Sequence, residues 1–236
     1  MTPNPNQLLQ ALEERFILLV SIPRNDLKLA RAAAEAGADA IKVHLNCQHF
    51  ASGTCFGSWS EEKAVIAEIR QALEIPLGIV TGAEELPGEE DLSEIRRAGF
   101  DFWDLFAHHT PPGYLDWPEM AHMVAVDPTW TPEFVQDLVA LGVQVIESSI
   151  IPRPQYRTRL TAADLTRYAA LVRSARVPVV IPTQKAVRPD EIQYLHRVGA
   201  RGLAIGAVVT GHEVEGLQAA VGAFRKAIDA LPRPAR

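Results

Sequence analysis

The sequence predicts an α/β protein built as a single-domain (β/α)8 TIM barrel, eight parallel strands closed into a ring with helices outside. Three observations predict it. Eight apolar runs alternate with helix-like stretches along the chain. The length of 236 residues approaches the roughly 250 typical of such a barrel. An open doubly wound sheet would not need eight strands in that length. The turns before strands two, four, six and eight also share one form: Ala36-Gly37-Ala38-Asp39, Ala98-Gly99-Phe100-Asp101, Leu141-Gly142-Val143-Gln144 and Val198-Gly199-Ala200-Arg201. Strands three and seven both open on proline, at Ile75-Pro76 and Val177-Pro178, so the pattern reads as a four-strand unit used twice. One domain over 1–236 is expected, with flexible ends at 1–8 and 232–236.

Phe16–Pro23 is the first apolar run, and the Ala-rich stretch Asp26–Ala36 is a helix closed by Gly37, which tolerates a left-handed C-terminal cap. Ala40–Leu45 is the second strand. Asn46–Trp59 has no period, and a loop of about fourteen residues in a compact domain is a lid or is disordered. Ser60 is placed to cap a helix over Glu61–Leu73, and Pro76–Thr81 is the third strand. Glu89–Ala98 is a helix, Phe100–Phe106 the fourth strand, and Ala107–Glu119 a weak segment with a short helix near Asp116. His122–Asp127 is the fifth strand, and Thr131-Pro132-Glu133 starts a helix that Gly142 stops. Val143–Ile151 is the sixth strand, and Thr161 caps a helix reaching Ala175. Val177–Thr183, a helix from Pro189 to Gly199, the strand Gly202–Val209 and a helix over His212–Leu231 complete the ring.

Composition excludes several classes. Two cysteines argue against a disulfide framework and for a reducing compartment. The N-terminal stretch lacks a signal pattern, and no apolar run approaches the roughly 18 residues of a membrane span, so a soluble cytoplasmic protein is expected. A net charge of −6 disfavours nonspecific nucleic-acid binding and requires local positive potential to hold a phosphate.

In such a barrel the chemistry sits on the loops at the strand C-termini. Strand two alternates, so Ile41, Val43 and Leu45 face the helices while Lys42, His44 and Asn46 face the interior or mouth. A lysine at mid-strand is buried on either face, and a buried charge persists only when paired. Asp104, Asp127 and Glu147 lie at comparable depths on other strands. Lys42, Glu147, Asp127 and His44 are therefore the candidate catalytic residues, with Asn46, Asp104, Ser149 and Arg153 positioning a substrate; an arginine in the basic loop 152–159 suits an anion bidentately. The stretch 177–211 reads strand, turn, helix, strand and small-residue turn. Bare backbone at Gly206 and Ala207, followed by Thr210-Gly211 before the last helix, makes an anion site. His44, Cys47, His49 and Cys55 lie close in sequence, but their spacing matches no common zinc site, so no metal is expected.

The final third resembles the ribulose-phosphate binding barrels, and among them the N-acetylmannosamine-6-phosphate 2-epimerase family. The resemblance rests on Gln184-Lys185, Arg188-Pro189, Gly199-Ala200 and the strand ending Ile205-Gly206-Ala207-Val208-Val209-Thr210. It implies that Lys185 stands in for a family arginine near the substrate and that Gly206 and Ala207 cradle a phosphate. It also aligns Asp127 with an aspartate ending strand five, and Ser148-Ser149 with a Thr-Thr pair. Lys42 falls near a family arginine. Two positions depart: Thr81 and Thr183 stand where the family has a lysine and a glutamate. The implied function is isomerase- or epimerase-type proton transfer on a small phosphorylated sugar or related metabolite, with no cofactor. Two other readings stand beside it. One is an aldolase or lyase using Lys42 as a Schiff-base nucleophile; the other is a barrel that binds a phosphometabolite without catalysis. Barrels of this size often pair, which makes a homodimer the candidate assembly.

Overall fold

The computed structural model describes residues 6–232 and closes eight parallel strands into a barrel. The barrel strands are β1 (Ile17–Ser21), β2 (Ala40–His44), β3 (Leu77–Val80), β4 (Phe102–Phe106), β5 (Ala121–Val126), β6 (Val145–Ser148), β7 (Val179–Pro182) and β8 (Gly202–Ile205). Each pairs with its chain neighbours, and β1 pairs with β8 to close the ring, through Ile17↔Gly202 to Val20↔Ile205. Residues at alternate positions, such as Ile41, Val43, Trp103, Leu105 and Ile146, form the layer between strands and helices. The other set points into the barrel.

The helices are α1 (Gln7–Glu14), α2 (Leu27–Glu35), α3 (Trp59–Ala72), α4 (Glu89–Arg97), α5 (Pro132–Ala140), α6 (Ala162–Ala175), α7 (Ile192–Arg197), α8 (Ala207–Thr210) and α9 (Val214–Asp229). The weak segment after β4 holds two 3-10 turns, Ala107–His109 and Pro112–Asp116, in place of an outer helix. Pro111-Pro112-Gly113 explains this, because proline removes donors and fixes φ where a helix would need to propagate.

The repeated Gly turns have a common physical basis. Gly37, Gly99, Gly142 and Gly199 all adopt positive φ, from 83° to 104°, which ends each helix in a left-handed cap. Two residues later a side chain reaches back to the start of the preceding strand. Asp39 accepts from the Leu18 N–H (2.7 Å), Asp101 from Leu77 N–H (2.9 Å) and Gln144 from His122 N–H (3.0 Å). Three of the four turns share this back-bond; at the fourth, Arg201 instead donates to the Leu12 carbonyl at the end of α1 (2.7 Å).

Several sequence expectations are corrected. Of the flexible ends, 1–5 and 233–236 lie outside the described residues, but Gln7 and Leu8 are helical. Asn6 caps α1 by accepting from the Leu8 and Leu9 N–H groups, and Leu8 and Leu12 are fully buried in the bottom of the barrel. Ser58, not Ser60, caps α3, in a reciprocal box with Glu61. The expected last strand to Val209 ends at Ile205, and its remainder is the short helix α8. Loop 46–59 is neither patternless nor open. It carries an antiparallel hairpin, Cys47–His49 against Thr54–Phe56.

The lower barrel interior is apolar, filled by Leu19, Phe102, Met123, Val145 and Val180. Gly78 is obligatory there, since a Cβ at that position would lie 2.0 Å from the Phe102 ring.

Candidate active site

Two residues further along the same strands the interior becomes ionic. Lys42 is 6 % exposed, and its ammonium donates to Asp104 Oδ2 (2.5 Å) and Glu147 Oε2 (2.6 Å). The other Glu147 oxygen, Oε1, accepts from the Ser149 hydroxyl (2.8 Å), whereas Asp104 Oδ1 is buried without a partner. Three strands supply the cluster. Sequence alternation brings the charges inward, and strand stagger sets them at one level.

The charges cannot all be equivalent. Two carboxylates around one ammonium leave a net negative charge in a low-dielectric interior, which one proton removes. Burial drives the Asp104 carboxyl well above its ordinary range and repulsion from Glu147 adds to this, against the opposing pull of Lys42. Burial also pushes Glu147 upward, but Lys42 and hydrogen bonds from Asp104, Lys42 and Ser149 outweigh it and hold the group at about 2. Burial lowers Lys42, and the two acids more than reverse that, so the ammonium is held above its ordinary value. The cluster is a cation in contact with two acids whose affinities for a proton are pushed apart, Asp104 upward and Glu147 downward.

Above it lies a cleft of about 880 Å³ lined by Lys42, Asp104 and Glu147 below, and by His44, His49 and Gly206 among others. His44 bonds Ser21 Oγ through Nε2 (3.3 Å), stacks on Phe56 and leaves Nδ1 buried without a partner. Burial, then His49 and Lys42, hold its pKa well below the usual imidazole value, so it is neutral. The hairpin crosses the mouth. Arg157 donates to the Ala51 carbonyl (2.7 Å), Thr54 Oγ1 donates to the Pro23 carbonyl (2.7 Å), and Phe50 packs edge-on against Tyr156 (5.2 Å).

The other expected residues scatter. Asp127 lines the rim beyond β5, accepting from Thr129 N–H and Oγ1 at 2.8 and 2.6 Å with His108 Nδ1 at 3.6 Å, and does not meet Lys42. Arg153 lines the cleft with its guanidinium over Phe50. Asn46, at φ 47°, donates to the Thr81 carbonyl (3.1 Å) and lies outside the cleft lining. Lys185 is a correction. Its ammonium is buried against Asp164 (3.3 Å) and Thr158 Oγ1 (2.9 Å), away from the cleft, because α6 presents an acid that a buried lysine needs.

The anion cradle is also altered. Gly206 lines the cleft, but its N–H already donates to Thr183 Oγ1 (3.1 Å). Ala207 and Val208, as first-turn residues of α8, have N–H groups with no intrahelical acceptor. Thr210 is buried and donates to the Gly211 carbonyl (3.0 Å), and neither lines the cleft. Among the described residues no cluster of three or more His, Cys, Asp or Glu side chains could hold a metal, and Cys47 and Cys55 are unpaired. No described helix is long and apolar enough to cross a membrane. Sequence reasoning passed over Ser21, weighed His49 only as a metal ligand and took Thr183 only as a departure from the epimerase pattern, yet all three line the cleft; the polar residue at the end of each inward-facing run signalled Ser21 and Thr183.

No protein family's profile and no curated protein matches the chain. Solved structures do. Thiamine phosphate pyrophosphorylase from Pyrococcus furiosus is 15% identical with a TM-score of 0.64, covering 96% of this chain and 98% of that one. For a 3-hexulose-6-phosphate synthase the values are 20% and 0.67, with 90% and 100% covered. For tryptophan synthase from M. tuberculosis they are 14% and 0.71, with 95% and 99% covered. These likenesses bear on the fold: the chain shares the closed eight-stranded barrel with enzymes, two of them named for phosphorylated compounds.

Proposed function

We propose that the protein is an enzyme that moves a proton at a carbon beside a carbonyl in a small phosphorylated sugar or related metabolite, an isomerase or epimerase. The observation that carries it is the contact of Lys42 with both Asp104 and Glu147 at the floor of an open cleft. Structural ion pairs need one partner; here burial and the neighbouring carboxylate raise the pKa of a second acid beside the first, which suits acid–base chemistry. Glu147 takes the proton from carbon. The electron pair moves to the carbonyl oxygen, where the Lys42 ammonium stabilises it and Asp104 supplies a proton. Return of a proton to carbon completes the exchange. Glu147 is a weak base while Lys42 touches it; when the ammonium turns to a substrate oxygen the carboxylate loses that stabilisation, so basicity rises on binding.

The phosphate is proposed to lie at the Gly206–Val208 turn, where the Ala207 and Val208 N–H groups without an intrahelical acceptor suit an anion, with Arg153 and the hairpin at its outer side. Asp127, His44 and Ser149 shape the cleft around the reacting carbon. This agrees with the epimerase resemblance in substrate class, while the catalytic groups differ from that family's. The aldolase reading is less favoured, because a lysine held in its charged form is no nucleophile.

The test is solvent exchange. Ketose, aldose and amino-sugar phosphates are incubated with the protein in D2O, and the C–H beside the carbonyl is followed by NMR. Exchange by the wild type that is lost in Lys42→Met and Glu147→Gln supports the reading. Phosphate-ester binding without exchange of any of them would leave the non-catalytic barrel as the answer.

A further inference from the structure

The hairpin over the mouth brings a residue into the cleft whose hydrogen-bonding state is fixed by its own backbone. His49 lines the cleft and lies 4.8 Å from the His44 ring and 6.2 Å from Phe56. The Ser52 N–H points at His49 Nδ1 (3.3 Å), and the Ser52 hydroxyl is 2.8 Å from the same atom. A backbone N–H can only donate, so Nδ1 must be the ring's acceptor nitrogen. In a neutral imidazole the hydrogen then resides on Nε2. That Nε2–H has no protein acceptor among the described residues.

We propose that His49 is a further catalytic residue, a neutral Nε2–H donor that meets the substrate oxygen as negative charge develops on it. The proposal rests on the proton-transfer reading above and adds to it a second electrophile in the cleft that Lys42 lines. The ring cannot easily act as an acid. Burial lowers its pKa to about 4, the nearby Lys42 charge adding to this and Glu147 opposing it, while His44 beside it is itself neutral. A neutral donor suits this cleft. It stabilises an oxyanion without adding a second buried cation, and it is preorganised because its tautomer and ring plane are held before substrate arrives. It also gives the hairpin a purpose beyond excluding water. The Arg157–Ala51 and Thr54–Pro23 bonds hold the hairpin that carries His49, through its turn and its second strand.

Long-range 1H–15N correlation spectra of the uniformly 15N-labelled full chain, with His49→Gln used to assign the ring, test the state directly. From pH 5 to 8 the expected pattern is a single Nε2–H tautomer. An Nδ1–H tautomer or an imidazolium in that range overturns the proposal. The same samples are titrated with 2-phosphoglycolohydroxamate, a phosphorylated enediolate mimic. The Nε2–H resonance should move downfield, and His49→Ala should weaken binding about tenfold, the worth of one hydrogen bond, with His49→Gln recovering part of the loss. Equal binding by wild type and His49→Ala refutes the role of His49 and leaves the proton-transfer reading standing. Failure of the wild type to bind the mimic removes both.

Discussion

Two interiors lie one step apart on the same strands. In the lower barrel Leu19, Ala40, Phe102 and Val145 meet the Leu8–Leu12 face of α1 and exclude water. Two residues on, Ser21, Lys42, Asp104 and Glu147 line the cleft. Because residues i and i+2 face the same way in a strand, the barrel needs no separate scaffold for its chemistry. The apolar layer is the floor of the ionic one. It lowers the dielectric beneath Lys42, strengthens its contacts and raises the pKa of Asp104. The lower layer should therefore fail by unfolding and the upper by losing turnover.

The largest expected effect is on the upper layer. Lys42→Met or Glu147→Gln should cut exchange of a turned-over substrate by roughly 10²- to 10⁴-fold. Lys42→Met also leaves the Glu147 carboxylate buried without its cation and should lose about 3–5 kcal/mol of stability; exchange that survives either substitution would break the comparison. In the lower layer Phe102→Ala should cost about 3–5 kcal/mol in denaturant unfolding, because the ring fills the space that Gly78 leaves open. Replacing Lys42, Asp104 and Glu147 together by apolar residues of similar size should be neutral or stabilise by up to about 4 kcal/mol, while abolishing activity.

The pH dependence sharpens the same contrast. His44 and His49 have folded pKa values below the ordinary 6.5, His49 near 4, so between these values the unfolded chain binds two protons that the native one refuses. Their contribution is complete above about pH 6.5 and is lost as pH falls towards 4. Asp104, whose folded pKa is raised, acts in the opposite sense. His49→Gln should remove about one proton from the uptake on unfolding in this window, measured by denaturation at a series of pH values. The smallest effect is at the strap. Arg157→Ala should cost about 0.5–1.5 kcal/mol, seen as faster amide exchange confined to residues 47–56, with global unfolding unchanged.

The strand count, the order and the glycine caps were legible because they rest on local periodicity and on positive φ. So was the inward set on β2, since alternation alone turns Lys42 and His44 away from the helices. Which acid meets Lys42 was not. Asp127 shares its strand's inward phase but lies two residues above Ala125, which pairs with Glu147, and strand stagger is invisible in one sequence. Lys185 has the same lesson: its partner Asp164 sits on another element. The Leu8-Ala11-Leu12 stripe behind Asn6 was readable as a helix face, but its burial depends on the barrel having an open lower end to fill. The hairpin has too few residues per strand to show a period.

The most direct measurement is the carboxyl carbon titration of Asp104 and Glu147 by 13C NMR, assigned with Asp104→Asn and Glu147→Gln. The account predicts that Asp104 stays protonated well above the ordinary carboxylate range while Glu147 is ionised down to about pH 2. Two carboxyls titrating together near pH 4 would contradict it.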